Sequence, residues 1–155
     1  MEVAVNMSER YLEKRIAVSG GFDPIHIGHI RLFRSAKELV GDKGELIVIL
    51  NGDNWLIRKK GKRFMKENER AEVLASIRYV DKVYIHQSDD DHVIEALRAL
   101  HPDVFANGGD RKSEKDIPES AVCKELGIAM VFFDVGEDAK DHSSSALLRE
   151  YSAKA

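Results

Sequence analysis

Apolar residues fall along this chain in two alternating patterns. Short continuous runs occur at Ile16-Ala17-Val18, Leu46-Ile47-Val48-Ile49-Leu50, Val83-Tyr84-Ile85, Val104-Phe105-Ala106 and Ile128 to Phe133. Runs of this kind suit parallel strands covered on both faces. Between them the apolar residues recur at helical spacing. Ile30, Leu32, Phe33, Ala36, Leu39 and Val40 predict a helix from about Gly28 to Val40, with Gly41 as its stop. Ala71, Val73, Leu74, Ile77 and Val80 predict another from Glu67 to Tyr79. Asp90 or Asp91 is a candidate cap for a helix to Leu100, which His101-Pro102 ends. Pro118 opens a helix stopped by Gly127, and Ser143-Ser144-Ser145 opens a last one through Tyr151. The stretch Arg58 to Arg63 reads as a basic loop. The alternation predicts an α/β fold: a single domain over 1–155, with a Rossmann-like, doubly wound, five-stranded parallel sheet and a polar N-terminal extension at 1–14.

Such sheets bind ligands beyond the C-terminal ends of their strands. That rule singles out the loops at Gly20 to His29, Asn51 to Arg63 and Asn107 to Arg111, and the one before Ser143. Composition narrows the ligand. A net charge of -3 argues against a broad electrostatic grip on nucleic acid. The local basic cluster is still suited to a phosphorylated small molecule. No apolar run is long enough to cross a bilayer, and Met1 to Arg15 has no signal-peptide core, so a cytoplasmic location without membrane attachment is the default expectation. The single cysteine, Cys123, excludes an intramolecular disulfide and reads as a small buried hydrophobe.

The densest chemistry lies between the first strand and the first helix, in Gly20-Gly21-Phe22-Asp23-Pro24-Ile25-His26-Ile27-Gly28-His29. Gly20 and Gly21 permit a tight turn and close backbone approach. The helix start offers free amides and a positive dipole end to phosphate. His26 and His29 are three apart and so share one side of an early turn, with Gly28 leaving room between them. Two imidazoles and a helix N-terminus can stabilise charge building on phosphorus. Asp23 with the two histidines makes only a partial metal site, so no protein-held metal is expected. His86, His92 and His101 have no partner motif and read as structural. Trp55 is open between packing and an acceptor pocket.

This segment resembles the signature of the cytidylyltransferase-like nucleotidyltransferases, which carry an HxGH motif after their first strand. The resemblance runs from about Ile16 to Tyr151. It implies that His26, His29 and Arg70 are catalytic. Arg70 matches an arginine that contacts phosphates, just before Ser76-Ile77-Arg78-Tyr79-Val80-Asp81. It further implies nucleotide contacts from Gly20, Gly21, Phe22, Asp23, Gly28, Gly109, Asp110, Ser143, Ser144 and Ser145. Lys59, Lys60 and Lys62 fall where relatives hold the acceptor phosphate, and one sequence does not rank them.

The implied reaction passes a nucleotidyl group from ATP or CTP, carried with Mg²⁺, to a small phosphorylated acceptor and releases pyrophosphate. The Gly108-Gly109-Asp110 loop leans toward ATP and is nearest the heptose-phosphate adenylyltransferases. Asp138-Ala139-Lys140-Asp141 stands where many cytidylyltransferases have an Arg and a Gly, which weakens CTP. A sugar or polyol phosphate is the first choice of acceptor. Glycerol- or ethanolamine-phosphate, FMN, and a non-catalytic nucleotide sensor stand as alternatives. A homodimer is also open.

Overall fold

The computed structural model describes residues 9–89, 91–108, 117–136 and 143–153. Its elements, in chain order, are β1 (Arg15–Gly20), α1 (Ile27–Val40), β2 (Glu45–Asn51), α2 (Asp53–Lys60), α3 (Glu67–Ala75), β3 (Lys82–His86), α4 (Ile94–Leu100), β4 (Val104–Asn107), α5 (Ser120–Leu126), β5 (Ala129–Phe132) and α6 (Ser144–Ala153). The strands form one five-stranded sheet in the order β3-β2-β1-β4-β5. Every pairing is parallel, with Val18 beside Val48 and Ala17 beside Phe105. The α/β architecture expected from the apolar pattern is therefore present. The order reverses between β1 and β4, so the ligand crevice of such a sheet opens above the end of β1.

The period-two alternation of strand side chains divides the core into two layers. Ile16, Val18, Leu46, Val48, Leu50, Val104 and Ala106 face α1 and α3, packing with Phe33, Ala36, Val40 and Leu74. Ala17, Ile49 and Phe105 face the other side, with Ala96, Leu97, Val122 and Cys123 of α4 and α5. Burial on both faces is why the strands read as unbroken apolar runs. Cys123 is fully buried, as a small hydrophobe would be.

Three boundaries differ from the sequence reading. The expected basic loop at Arg58 to Arg63 begins as helix, because α2 runs to Lys60 and ends on Gly61 at φ 82°. Leu56 is the only buried residue of that helix, so it lacks the apolar stripe that would have announced it. Helix α3 stops at Ala75 instead of Tyr79. The amide of Ile77 turns back to Leu74 O, while Ile77, Tyr79 and Val80 still pack on the core. Helix α4 begins at Ile94 without an aspartate cap. Asp91 instead pairs with Lys59 at 3.2 Å, and Glu119 Oε1 accepts from the amide of Val93. Asp90 lies outside the described residues. No helix among the described residues is long and apolar enough to cross a membrane.

Candidate active site

The two histidines are held by the start of α1. His26 is its N-cap, and its Nδ1 accepts from the amide of Gly28 at 3.0 Å. His29 Nδ1 accepts from the amide of His26 at 3.2 Å, which completes a reciprocal capping box. An N–H that donates to Nδ1 requires that nitrogen to be unprotonated. Each neutral ring therefore carries its proton on Nε2. The rings lie against each other with centroids 3.6 Å apart. His29 is pushed from 6.5 down to about 3, by burial first and then by the neighbouring His26 and the Lys60 ammonium. The outcome is a neutral Nε2–H donor beside a lysine charge, at a helix N-terminus.

The residues before the histidines build the support beneath them. Phe22 has left-handed backbone at φ 47° and is buried. Its ring meets His29 edge-on at 4.8 Å and Phe33 at 5.3 Å. A Cβ on Gly20 would stand 3.0 Å from Phe22 Cζ. A Cβ on Gly21 would stand 2.9 Å from Leu56 Cδ2 and 3.1 Å from Trp55 Cζ3. The close approach expected at these glycines is thus made in part by the Phe22 ring at Gly20 and by α2 at Gly21. Asp23 is 3% exposed, and its two oxygens accept from the amides of Phe64 and Met65 at 2.6 and 2.8 Å. Phe22 and Asp23, which the resemblance places at the nucleotide, brace the histidine loop through these contacts.

Arg70 is the most deeply buried of the three residues implied to be catalytic. Its side chain is 1% exposed. Nε donates to Met65 O at 2.9 Å, and one terminal nitrogen donates to Gly21 O at 2.7 Å and Asn51 O at 2.8 Å. The other terminal nitrogen pairs with Asp53 at 2.8 Å. The planar fork thus joins the β1 loop, the end of β2, the start of α2 and the segment before α3. These bonds hold Arg70 beneath the histidine loop and use four of its five N–H groups.

The lysines separate in the structure. Lys60, on the last turn of α2, is the one whose charge acts on His29. Lys59 turns away to Asp91, and Lys62 is exposed beyond the helix. At the opposite rim, Ser144 Oγ donates to Pro24 O at 2.6 Å and so pins the start of α6 to the histidine loop. Ser143 Oγ accepts from the amide of Ala146, and Ser145 is exposed. Gly109, Asp110, Lys140 and His142 lie outside the described residues. His86 is buried against the carbonyl of His92 at the end of β3, and His101 sits in left-handed backbone after α4.

Two residues were missed. Asn51 ends β2 and Asn107 ends β4, both buried. Asn51 Oδ1 and Asn107 Nδ2 have no hydrogen-bond partner among the described residues. A buried amide left unpaired is costly, and these two flank the end of β1 where a ligand would satisfy them. The signal was present as a polar residue closing each unbroken apolar run.

A parallel sheet with its crevice at a strand-order reversal, and a helix N-terminus bearing two Nε2–H donors beside a lysine, define a phosphate-handling α/β enzyme of the nucleotidyltransferase class. The chain belongs to the cytidylyltransferase-like family, whose profile matches residues 17–150. It is 35% identical over 138 residues to a FAD synthase of Korarchaeum cryptofilum, covering 88% of this chain and 90% of that protein. A FAD synthase of Archaeoglobus fulgidus is 36% identical, with 84% and 91% covered. Bifunctional protein HldE of Gluconobacter oxydans is 35% identical over 83% of this chain, which spans about a quarter (26%) of that longer protein. Among solved structures, a lipopolysaccharide core biosynthesis protein from Thermoplasma volcanium superposes with a TM-score of 0.63 at 27% identity, covering 79% of this chain and 96% of that one. The chain is accordingly a nucleotidyltransferase that joins part of a nucleoside triphosphate to a phosphorylated acceptor.

Proposed function

We infer that the chain is an FMN adenylyltransferase, converting FMN and ATP to FAD and pyrophosphate. The sequence reading put a sugar or polyol phosphate first and FMN lower. FAD synthases matched along about nine-tenths of their own length move FMN ahead, and AMP transfer with it. The observation that carries the chemistry is the capping box, which commits both Nδ1 atoms to backbone amides and leaves a proton on each Nε2.

A phosphate oxygen of FMN attacks the α-phosphorus of ATP. The bond from that phosphorus to the bridging oxygen of the β-phosphate breaks, and pyrophosphate leaves with the electron pair. The attacking phosphate is already ionised near neutral pH, so the step needs positioning and charge neutralisation more than a general base. The Nε2–H groups of His26 and His29 donate to the α-phosphoryl oxygens as they gain charge. Lys60 draws the acceptor phosphate toward His29, and the amides opening α6 receive the β- and γ-phosphates. Mg²⁺ would enter as part of the nucleotide substrate, where it neutralises phosphate charge.

Pyrophosphate release with ATP or CTP against FMN, glycerol 3-phosphate and a heptose phosphate tests the reading. ATP with FMN is expected to turn over at least tenfold faster than any other pair. Preference for a sugar phosphate would overturn the acceptor, and no turnover with any pair would favour a nucleotide sensor.

A further inference from the structure

We propose that the cleft beside α2 seats the flat, uncharged ring system of the acceptor, and that Trp55 is its stacking face. The proposal rests on the FMN reading above and adds where the flavin lies. The cleft has a volume of about 480 Å³ and opens between the C-terminal ends of β2 and β3. That is within the range of roughly 300–1,000 Å³ typical of drug-sized ligands. Its walls include Gly52, Asn54, Trp55, Gln87, Asp89 and Glu95.

Trp55 links this cleft to the histidine loop. One edge of its indole packs at Gly21, where a Cβ would stand 3.1 Å from Cζ3. On the far side, Nε1 donates to the carbonyl of Asp91 at 3.1 Å. The ring is held at both ends while remaining partly exposed, which is what a stacking platform requires. The opposite wall is fixed as well. Gln87 Nε2 donates to Glu67 Oε2, and Glu67 Oε1 accepts from the amide of Asp53. A Cβ on Gly52 would fall 2.6 Å from Gln87 Oε1, so Gly52 is what lets that amide lie across the end of β2.

Charge orients the occupant. Asp89 and Glu95 in the cleft wall disfavour a phosphate there, Arg58 at its rim is already engaged by Ser88 O and Asp91, and Lys60 beside His29 attracts one. An acceptor with a phosphate at one end and a neutral aromatic system at the other therefore lies phosphate toward His29 and ring along Trp55. The amide and carboxylates meet the polar edge and hydroxyls that such a molecule presents. A short sugar phosphate has no flat face to offer the indole.

Trp55 is the chain's only tryptophan, so its emission reports this cleft alone. The probe is riboflavin, which has the ring and lacks the phosphate. Riboflavin is expected to quench Trp55 emission saturably, and ribose 5-phosphate is expected to leave it unchanged. Trp55→Leu, which keeps bulk without a flat face, should raise KM for FMN at least tenfold while KM for ATP stays within twofold. Trp55→Phe should stay within threefold for both. Stabilisation of each variant by ATP checks that it folds. An enzyme that forms FAD but shows no riboflavin quenching, or whose Trp55→Leu variant keeps its KM for FMN, overturns the cleft and leaves the proposed function standing. Quenching by riboflavin without FAD formation supports the cleft and overturns the proposed function.

Discussion

His29 works through two different nitrogens. Nδ1 holds the loop by accepting from the amide of His26, and Nε2 is left as the donor for chemistry. Asparagine separates the two roles, because its Oδ1 stands about where Nδ1 does and nothing replaces Nε2. His29→Asn should therefore keep its fold and its ATP affinity within a fewfold, and lose about 10²–10³ in kcat, the usual cost of one transition-state donor. Steady-state kinetics beside equilibrium ATP binding check this. The same side chain sets a pH dependence. Folded His29 accepts a proton only near pH 3, whereas the unfolded chain accepts one near 6.5. Its contribution to stability is whole above about 6.5 and declines as pH falls toward 3, because the unfolded state then binds the extra proton. Urea midpoints between pH 7 and pH 4 should fall more steeply for wild type than for His29→Asn. Arg70→Ala leaves three backbone carbonyls and Asp53 without their buried partner. It should cost about 3–5 kcal/mol in urea unfolding. The pair of histidines was legible in the sequence because their spacing and the glycine turn both appear there. The burial of Arg70 was not, since a motif names a residue type and only packing shows which way its fork faces.

Helices set the distances between those residues. Helix α2 meets the histidine loop through Leu56 and Trp55 at Gly21, and it carries Lys60 to His29 on its last turn. Gly21→Ala places a methyl 2.9 Å from Leu56 Cδ2. It should destabilise by about 1–3 kcal/mol, as other overpacked sites do. By displacing α2 it should also raise KM for the acceptor more than KM for ATP. At the other rim α6 is tied to the loop by Ser144, while Ser143 serves as a cap. Ser143→Ala should therefore cost only about 1 kcal/mol. Ser144→Ala should in addition weaken ATP binding, read by titration. The helices that pack on the sheet were visible as apolar stripes. Helix α2 was hidden because it buries one residue only, so its role follows from the side chains of Leu56 and Trp55 that close on Gly21 and from the amide of Gly61, which donates to Ile57 O.

At the scale of the molecule the strand order β3-β2-β1-β4-β5 divides the work. In the proposed function the ends of β2 and β3 would serve the acceptor through Lys60 and the Trp55 cleft, the end of β1 carries the histidines, and the start of α6 would serve the triphosphate. A ligand that spans these parts and binds only the folded state should raise the unfolding temperature, by about 2.7 kcal/mol of stabilisation at a hundredfold excess over Kd. Mg²⁺-ATP should do so more than Mg²⁺-CTP. The parallel sheet was legible in full from its unbroken apolar runs, since only strands covered on both faces can be apolar at every position. The identity of the acceptor was not, because the cleft proposed for it is built where the start of α2 meets the end of β3, far apart in sequence. The central claim is that AMP passes to FMN at the His26 and His29 site. It is tested most directly by incubating the protein and FMN with ATP labelled either at the α- or at the γ-phosphorus and separating the flavins. The account predicts that α-label appears in FAD, that γ-label appears only in pyrophosphate, and that His29→Asn suppresses the first. Flavin carrying γ-label, or FAD that forms at the wild-type rate in His29→Asn, would contradict it.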